Sequence, residues 1–202
     1  GQRMLDDALR PFRANFIADG VPRPLRRYET QRNTYGFTYE NTQADGVWDP
    51  RIVFGQSDVT IGVDQPTFPA LGVSVGKTET RSGKFENRFH IGATDTVTVG
   101  VDIYDRTSSY RDDATAPIIE KSRNVGLYAQ ARLDPTEALS LSFGLRYDRQ
   151  EFTGTSGFRG DYDGFSGNLS VAYDVTDTLT LRAGVSSVFG GLSIEDNFIF
   201  NP

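Results

Sequence analysis

Apolar and polar residues alternate along most of the chain after Tyr28. A period of two places every second side chain on the same face of a β-strand. The stretch from Leu139 to Tyr147 is the clearest case, and it would rise roughly 30 Å at about 3.3 Å per residue. Soluble strands average only about five or six residues. The pattern predicts an all-β chain of about eight antiparallel strands, which begin near Tyr28, Val47, Thr80, Val97, Val125, Leu139, Phe165 and Leu179.

The connections between these strands are sorted by length. Three connections are short, and long loops are predicted around residues 105–123 and 149–163 on the opposite side of the sheet. A further long loop is predicted over 57–79, although Val59 to Val63 and Val73 to Val75 could pair locally within it. Short turns on one side and long loops on the other are typical of a transmembrane β-barrel meander. We therefore expect short periplasmic turns and long outer loops. Each short turn spans five residues, between Ile91 and Val97, Leu133 and Leu139, and Tyr173 and Leu179.

Three arginines bear on which solvent each strand face meets. Arg132, Arg146 and Arg182 have the opposite parity to the apolar residues of their strands. In a barrel they would face a wet lumen, because on the lipid face each would cost about 2–4 kcal/mol near the midplane. A soluble β-sandwich would place them in bulk water, so alternation alone leaves that alternative open. Strand length and loop sorting favour the barrel, as do aromatic residues at strand ends that could form interfacial girdles: Tyr39, Tyr104, Tyr147, Phe165 and Tyr173.

Residues 1–27 differ from the rest of the chain. Leu5, Leu9 and Phe12 lie near helical spacing, but Pro11 interrupts the pattern. We expect an extracellular loop or short helical segment over residues 1–27, and transmembrane β-barrel strands over 28–202. The chain starts without an apolar leader and ends without a closing strand, so a mature or internal piece of a longer protein is expected.

Composition narrows the class of protein. The net charge is -6, which makes a nucleic-acid partner unfavourable. The mean hydropathy of -0.42 suits a soluble protein, but barrel strands expose apolar side chains on one face only and have similar averages. The sequence contains no run of eighteen apolar residues, which excludes a transmembrane helix, and no cysteine, which excludes disulfides and thiolate metal sites.

Few residues are candidates for chemistry. His90 is the only histidine, and a single histidine without cysteine does not make a metal site or a catalytic triad. We therefore expect no metal, no cofactor and no enzyme activity. Phe158, Arg159 and Tyr162 combine aromatic surface with a fixed positive charge in the predicted loop 149–163. They are the predicted substrate-binding residues, although contact with lipopolysaccharide or neighbouring loops is the competing interpretation.

The stretch from Asn124 to Pro202 resembles the later barrel strands of TonB-dependent outer-membrane receptors. In that family, a strand, a T-D-x-L turn and a second strand lead to a loop with an F-R-A-P-like box, and an N-P pair follows. Here Phe189-Gly190-Gly191-Leu192 stands at the first box without the R-A-P residues, and Asn201-Pro202 at the second. The similar strand segments are Asn124 to Gln130, Leu139 to Asp148, and Tyr173 to Ala183, which includes Thr176-Asp177-Thr178-Leu179.

The resemblance implies part of a barrel of about 22 strands. It implies active uptake of a bulky nutrient such as a ferric siderophore across the bacterial outer membrane, in contact with lipid and lipopolysaccharide. A TonB-type coupling protein would act through a plug outside this sequence. Haem-specific members tend to carry a histidine between the two boxes, and residues 193–200 contain none, which disfavours haem. The alternative is a self-contained eight-stranded outer-membrane barrel that acts as an adhesin or structural anchor.

Overall fold

The computed structural model describes residues 2–11, 25–41, 46–64, 72–111 and 116–192. Within these ranges the chain forms nine β-strands and no helix. No helix in the described part of the chain is long and apolar enough to cross a bilayer. The strands β1 to β9 are Gln2–Pro11, Leu25–Glu40, Pro50–Asp64, Val73–His90, Thr96–Arg111, Ile118–Thr136, Leu139–Thr153, Arg159–Thr176 and Leu179–Ser187.

All nine strands belong to one antiparallel sheet, in which each strand pairs with the next one along the chain. This order confirms the predicted meander, and β2 to β9 correspond to the eight predicted strands. β1 and β9 lie at the two edges of the sheet, and the described residues contain no pairing between them. The sheet is therefore an open part of a barrel wall.

The prediction for residues 1–27 was wrong where the structure describes them. Residues 2–11 form β1, which pairs with β2 from Gln2↔Thr34 to Pro11↔Leu25. A spacing of four residues, as between Leu5 and Leu9, fits a period of two as well as a helical period, so the apolar pattern could not discriminate between them. Pro11 is tolerated because it ends an edge strand. Residues 12–24 lie outside the described ranges.

The predicted long loops were also largely wrong. The β5–β6 connection spans only residues 112–117, and the β7–β8 connection spans 154–158. The predicted loop over 57–79 contains the ends of β3 and β4, in which Val63 pairs with Ser74 and Val59 with Thr78, so the local pairing allowed for residues 59–63 and 73–75 is present and extends further than expected. The connections on the two sides of the sheet therefore differ in length much less than predicted, because the strands continue well beyond their apolar segments.

The reason lies in a row of charged residues that crosses the sheet. These side chains share the face of the apolar residues but lie nearer the 154–158 end of the strands. Backbone pairing continues through them although the apolar alternation stops, because a strand that has left the apolar band meets water on both faces. In cross-strand register the row is Arg81, Asp105, Arg123, Glu151 and Asp161.

Two of the three five-residue turns were predicted longer than they are, whereas the β4–β5 turn spans residues 91–95, five residues as predicted. β6 and β7 are joined by residues 137–138, and β8 and β9 by residues 177–178. The register shifts just before each turn, between Leu133 and Thr136 and between Asp174 and Thr176. A register irregularity of this kind breaks the parity of the side chains while the strand continues. The apolar alternation therefore stops several residues before the strand ends.

The two faces of the sheet have opposite character. One face carries large apolar side chains that are exposed, and Leu145 and Phe165 are 70% and 74% exposed. The cross-strand register places the apolar residues of neighbouring strands on the same face, from Phe37 on β2 to Leu181 on β9. Tyr147 and Phe165 pack at the edge of this band that is nearer the 154–158 connection, with ring centroids 5.0 Å apart. We call this the convex face.

The opposite face carries all but one of the buried polar residues of the described part, and the exception is Asn87. Asp148 and Gln150 are 5% and 8% exposed, whereas Ala131 and Phe152 are the buried apolar residues of the described part. Side chains from β4 through β9 line a single cavity on this side, so the sheet curls toward it. We call this the concave face. Tyr104 has the parity of Asp102 and lies on the concave face, so it does not belong to a lipid-facing girdle.

Candidate functional site: the concave face

A cluster of charged side chains crosses four strands of the concave face. It borders a cavity of about 600 Å³. Each strand brings its residue to this face through the even positions of its alternation, so parity and register together assemble the cluster. We call it the concave polar cluster, and its members are Lys84 and Glu86 on β4, Asp102 on β5, Tyr128 on β6, and Arg146 and Asp148 on β7.

Arg146 is the centre of one half of this cluster. Its Nη1 and Nη2 donate to the two oxygens of Asp102 at 2.6 and 2.8 Å. Its Nε and Nη2 also donate to Asp148 Oδ2 and Oδ1, both at 2.7 Å. Asn124 Nδ2 donates to Asp148 Oδ1 at 2.8 Å. The planar guanidinium is therefore held in a fork by two carboxylates, a geometry that lysine cannot reproduce.

A glycine makes room for this arrangement. Gly126 lies between Asp102 and Asp148 in the register, and the Arg146 guanidinium lies over it. A Cβ added at Gly126 would lie 2.0 Å from Arg146 Nη2, which is far inside van der Waals contact. The sequence needs glycine here because the side chain of a neighbouring strand occupies the space above the backbone.

Glu86 is the centre of the other half. It accepts a hydrogen bond from the Tyr128 hydroxyl at 2.5 Å. Lys84 Nζ lies 2.7 Å from Glu86 Oε2, and Arg51 Nη1 lies 3.4 Å from Glu86 Oε1. Arg51 Nε also lies 2.5 Å from Glu40 Oε1, so the charge network continues onto β2 and β3. Lys84 Nζ and Arg146 Cζ approach the Tyr128 ring to 5.4 and 5.8 Å, which joins the two halves.

Each cation of this cluster has an anionic partner. Lys84 faces Glu86, and Arg146 faces Asp102 and Asp148. Both cations are thus held in ion pairs within a wall of polar side chains. The described residues also contain no group of three or more histidine, cysteine, aspartate or glutamate side chains that could hold a metal ion.

The chain that follows β9 folds over this wall. The side-chain amide of Gln150 pairs with the backbone of Leu192: Leu192 N donates to Gln150 Oε1 at 2.7 Å, and Gln150 Nε2 donates to Leu192 O at 2.5 Å. Gln150 Nε2 also donates to Ser122 Oγ, and Phe189 N donates to Ser166 Oγ at 3.0 Å. The segment Phe189-Gly190-Gly191-Leu192, which stands at the position of the F-R-A-P-like box, is therefore held against the concave face.

A second cavity, of about 510 Å³, lies on the same face near the short turns. Its lining contains three arginines, one from each of β4, β6 and β9, together with serine and threonine hydroxyls. One carboxylate, that of Asp134, is among the lining residues. The three arginines are Arg88, Arg132 and Arg182, and we call them the arginine cluster.

The predicted substrate-binding residues lie at the opposite end of the sheet. Phe158 is exposed in the β7–β8 turn, where its carbonyl accepts a hydrogen bond from Gly154 N. Arg159 and Tyr162 are on β8, paired with Thr153 and Gln150. Positions 159 and 162 differ by an odd number, so the two side chains leave opposite faces of the strand. Tyr162 is on the concave face, and the structure does not gather all three residues on one surface.

His90 has a carboxylate partner that the sequence did not indicate. Its Nε2 lies 2.9 Å from Asp49 Oδ2, across the turn between β2 and β3. His90 N donates to Gly46 O at 2.8 Å in the same turn. These contacts hold the turn against the end of β4, which agrees with the structural role predicted for this residue.

Sequence reasoning found Arg146 and the arginine cluster only in part. Parity placed Arg132, Arg146 and Arg182 toward the lumen, and the structure confirms this face for all three. It missed Asp102, the partner of Arg146 on β5, because that pairing depends on strand register. The sequence does contain one signal for such partners. Asp102 lies between Val101 and Ile103, so a charged side chain faces the lumen from the middle of an apolar alternation.

Together, the meander, the exposed apolar convex face and the polar concave face define a segment of an outer-membrane-type β-barrel. Residues 5–201 match the family described as TonB dependent receptor-like, beta-barrel. The chain belongs to this family, which confirms the resemblance found in the sequence.

Two kinds of known protein are similar to this chain. The heme transporter BhuA of Brucella abortus is 26% identical over 199 residues, which cover 96% of this chain and 30% of that protein. BhuA of Brucella ovis is 25% identical over the same shares. The solved toluene transporter TodX of Pseudomonas putida is 14% identical, with a TM-score of 0.42, over 81% of this chain and 56% of that one. The chain thus spans less than a third of the length of the BhuA proteins.

Proposed function

We propose that this chain forms part of the barrel wall of an outer-membrane receptor that takes up a bulky nutrient. The family match over residues 5–201 carries the proposal. The exposed apolar convex face supports it, because such a face suits lipid and would be costly in water. The uptake would be driven by a TonB-type coupling protein through a part of the receptor outside these residues. Family membership favours this receptor over a self-contained adhesin or anchor.

The proposed role of the wall is binding and passage without catalysis. The charged groups of the concave polar cluster are held in ion pairs, which would give this part of the lumen a stable lining while solute passes. Specificity would come from groups at the rim and upper lumen. Of the predicted binding residues, Tyr162 is on the concave face, and Phe158 and Arg159 lie at the strand ends nearby. We propose that these three contact the solute as it enters.

The proposed orientation has the two-residue turns in the periplasm and the β7–β8 turn outside. Single cysteines at Ser156, in the β7–β8 turn, and at Thr178, in the β8–β9 turn, test it because both positions are exposed. In intact cells an impermeant maleimide should label Ser156→Cys and spare Thr178→Cys until the outer membrane is opened. The reverse labelling would invert the topology.

The solute proposed is an iron chelate, and two classes remain candidates. A ferric siderophore follows from the absence of histidine between residues 193 and 200. Haem is favoured by the similarity to proteins named heme transporters. A strain that lacks the receptor should be supplied with the full-length gene and grown with either haem or a ferric siderophore as its iron source.

Growth on one source only, lost when the coupling protein is deleted, would support the proposal and name the solute class. Growth that is equal with and without the receptor on both sources would contradict iron uptake. Replacing residues 154–162 by a short Gly-Ser turn should reduce the growth that the receptor supports. The matched control is the same replacement of residues 137–138, on the opposite side, with the folded barrel checked by heat modifiability.

A further inference from the structure

One polar side chain on the convex face is buried. Asn87 lies on β4 between Phe85 and Phe89, which share its parity, and it is only 7% exposed. A carboxamide within an apolar band that meets lipid is unfavourable unless its hydrogen bonds are made inside the protein. The partners of Asn87 therefore show what covers this part of the convex face.

Both partners of the Asn87 side chain are backbone groups of the connection between β2 and β3. Asp49 N donates to Asn87 Oδ1 at 3.1 Å, and Asn87 Nδ2 donates to Val47 O at 2.9 Å. The amide thus uses its acceptor and one donor to fasten residues 46–49 to the convex side of β4. We call residues 46–49 the docked turn.

The docked turn contains one residue more than the strand end beside it. Arg88 N donates to Asp49 O at 3.0 Å, and His90 N donates to Gly46 O at 2.8 Å. Residues 47 and 48 therefore oppose Phe89 alone, as in a β-bulge. The turn is held by backbone as well as side-chain hydrogen bonds, so it does not extend freely from the sheet.

Alternation places Trp48 on the convex side. The neighbouring Asp49 is on the concave side, where its Oδ2 lies 2.9 Å from His90 Nε2. Trp48 has the opposite parity, which is that of Ile52 in the apolar band. The indole therefore lies on the outer surface of the wall, and the interior of the barrel lies on the other side of the sheet.

The docked turn forms an exposed apolar patch at the edge of the convex band. Trp48 is 62% exposed, and Val47, Phe89 and Ile91 beside it are exposed as well. Such a patch is unfavourable in water. An indole is stable at the boundary between acyl chains and headgroups, where its ring meets hydrocarbon and its N–H meets water. Because the patch is continuous with the lipid-facing band, membrane lipid is the partner that fits it.

We propose that the docked turn is a membrane-interface anchor, in which Val47 and Trp48 lie in the headgroup layer of the leaflet at the short-turn end and Asn87 holds them there. The proposal rests on the proposed receptor barrel in the outer membrane. It adds a specific lipid contact that fixes how deep this part of the wall lies in the bilayer. It also explains why an amide is found within the apolar band.

Fluorescence quenching in lipid vesicles tests where the docked turn lies. The full-length receptor carries a single cysteine at Val47, labelled with a fluorescent dye, so that Trp48 and Asn87 stay in place. Phospholipids with a nitroxide near the headgroup should quench this dye more strongly than phospholipids with a nitroxide near the end of the acyl chain. Iodide, present on both sides of the membrane, should quench it less than the same dye at Thr178, an exposed position in the β8–β9 turn.

Two substitutions in the Val47→Cys background separate the anchor from its support. Trp48→Ala should raise the quenching by iodide roughly twofold and lower the quenching by the headgroup nitroxide, because the indole no longer holds the turn in the interface. Asn87→Ala should have the same effect although Trp48 is unchanged, because the turn loses both side-chain hydrogen bonds. The matched control is Asn168→Ala, an exposed amide on the concave face, which should leave both kinds of quenching unchanged.

A dye at Leu169, in the middle of the convex band, is the reference for membrane position and should be quenched most by the acyl-chain nitroxide. If it is, and the Val47 dye is quenched by iodide as strongly as the Thr178 dye, the anchor is wrong while the barrel in lipid stands, and the patch would then suit a water-soluble partner. If lipid nitroxides quench neither dye, the anchor and the lipid-facing wall are both contradicted. Unchanged quenching in Trp48→Ala would also overturn the anchor. If Val47→Cys does not fold, Ile91→Cys at the same edge replaces it, with the same expected result.

Discussion

The convex and concave faces of this sheet come from the same strands and have opposite chemistry. Leu145 on the convex face is 70% exposed, while Asp148 on the concave face of the same strand is 5% exposed. In a water-soluble protein the apolar residue would be the buried one. The inversion shows that hydropathy averages conceal the class of protein, whereas the side on which each residue lies reveals it.

The comparison also holds along the strands. On the convex face the apolar band gives way to charged residues such as Arg123 and Glu151, although backbone pairing continues. On the concave face of β7 the side chains of Ser142, Arg146, Asp148 and Gln150 are polar on both sides of that boundary, and the apolar Phe152 follows near the strand end. The convex face therefore changes from apolar to charged at this boundary, whereas the concave face does not.

The largest expected effect is that of a charge placed in the middle of the convex band. Leu169 lies midway between Phe165 and Tyr173 on β8 and is exposed on that face. Leu169→Arg should lower the free energy of unfolding of the full-length receptor in lipid vesicles by about 2–4 kcal/mol. The matched control is Ser170→Arg, its exposed neighbour on the concave face, which should cost less than about 1 kcal/mol. Equal losses would mean that both faces meet the same solvent.

A slightly smaller effect is expected from breaking the concave polar cluster. Arg146→Met removes the partner of Asp102 and Asp148 and leaves the nearly buried Asp148 uncompensated. The expected loss is about 2–3 kcal/mol in urea unfolding, below the value for a fully buried pair because Arg146 and Asp102 are partly exposed. Arg149→Met, on the convex face above the band, should change stability by less than about 0.5 kcal/mol. A loss below 1 kcal/mol for Arg146→Met would show that water, rather than the protein, satisfies these carboxylates.

The close packing over Gly126 should give a moderate effect. Gly126→Ala forces the Arg146 guanidinium to move, and overpacking of this kind costs about 1–3 kcal/mol. Gly184→Ala is the control on the same face, where an added Cβ has only an ordinary contact with Leu169 O at 3.4 Å. In the Arg146→Met background the cost of Gly126→Ala should largely disappear, because the clash is removed. An unchanged cost in that background would assign the effect to the backbone instead.

The smallest effect is expected just beyond the convex band. Glu151→Leu should change the free energy of unfolding by less than about 0.5 kcal/mol, because the position is exposed and lies above the apolar residues. Stabilisation by more than 1 kcal/mol would mean that the lipid reaches this row, and that the band extends further than Tyr147 and Phe165.

The sequence pattern predicted the fold correctly wherever a strand has one apolar and one polar face. From Leu139 to Tyr147 the alternation gave the strand and the face of every side chain correctly. It failed beyond Asp148, because a strand with water on both faces has no period to detect, and the pairing of Glu151 with Asp161 was predicted as loop. It failed in β1 because the spacing of Leu5 and Leu9 fits two periods.

The site was less predictable than the fold for a related reason. Parity assigned Arg146 to the lumen and places Asp148, two residues further along β7, on the same face, but its partner Asp102 follows from the register of β5, β6 and β7. The β6–β7 register includes the shift before residue 137, which no local pattern specifies. Phe158, Arg159 and Tyr162 were grouped because they are close in sequence, whereas strand geometry separates Arg159 from Tyr162.

Spin-label accessibility along β8 tests the inverted faces most directly. Single cysteines from Phe165 to Tyr173, labelled in the full-length receptor in lipid vesicles, should give relaxation by oxygen and by a water-soluble nickel complex with a period of two. We expect oxygen to dominate at Phe165, Leu169, Val171 and Tyr173, and the nickel complex to dominate at Ser166, Asn168, Ser170 and Ala172. Nickel accessibility that is high at both parities, or a pattern with the opposite phase, would contradict a convex face in lipid and a concave face in water.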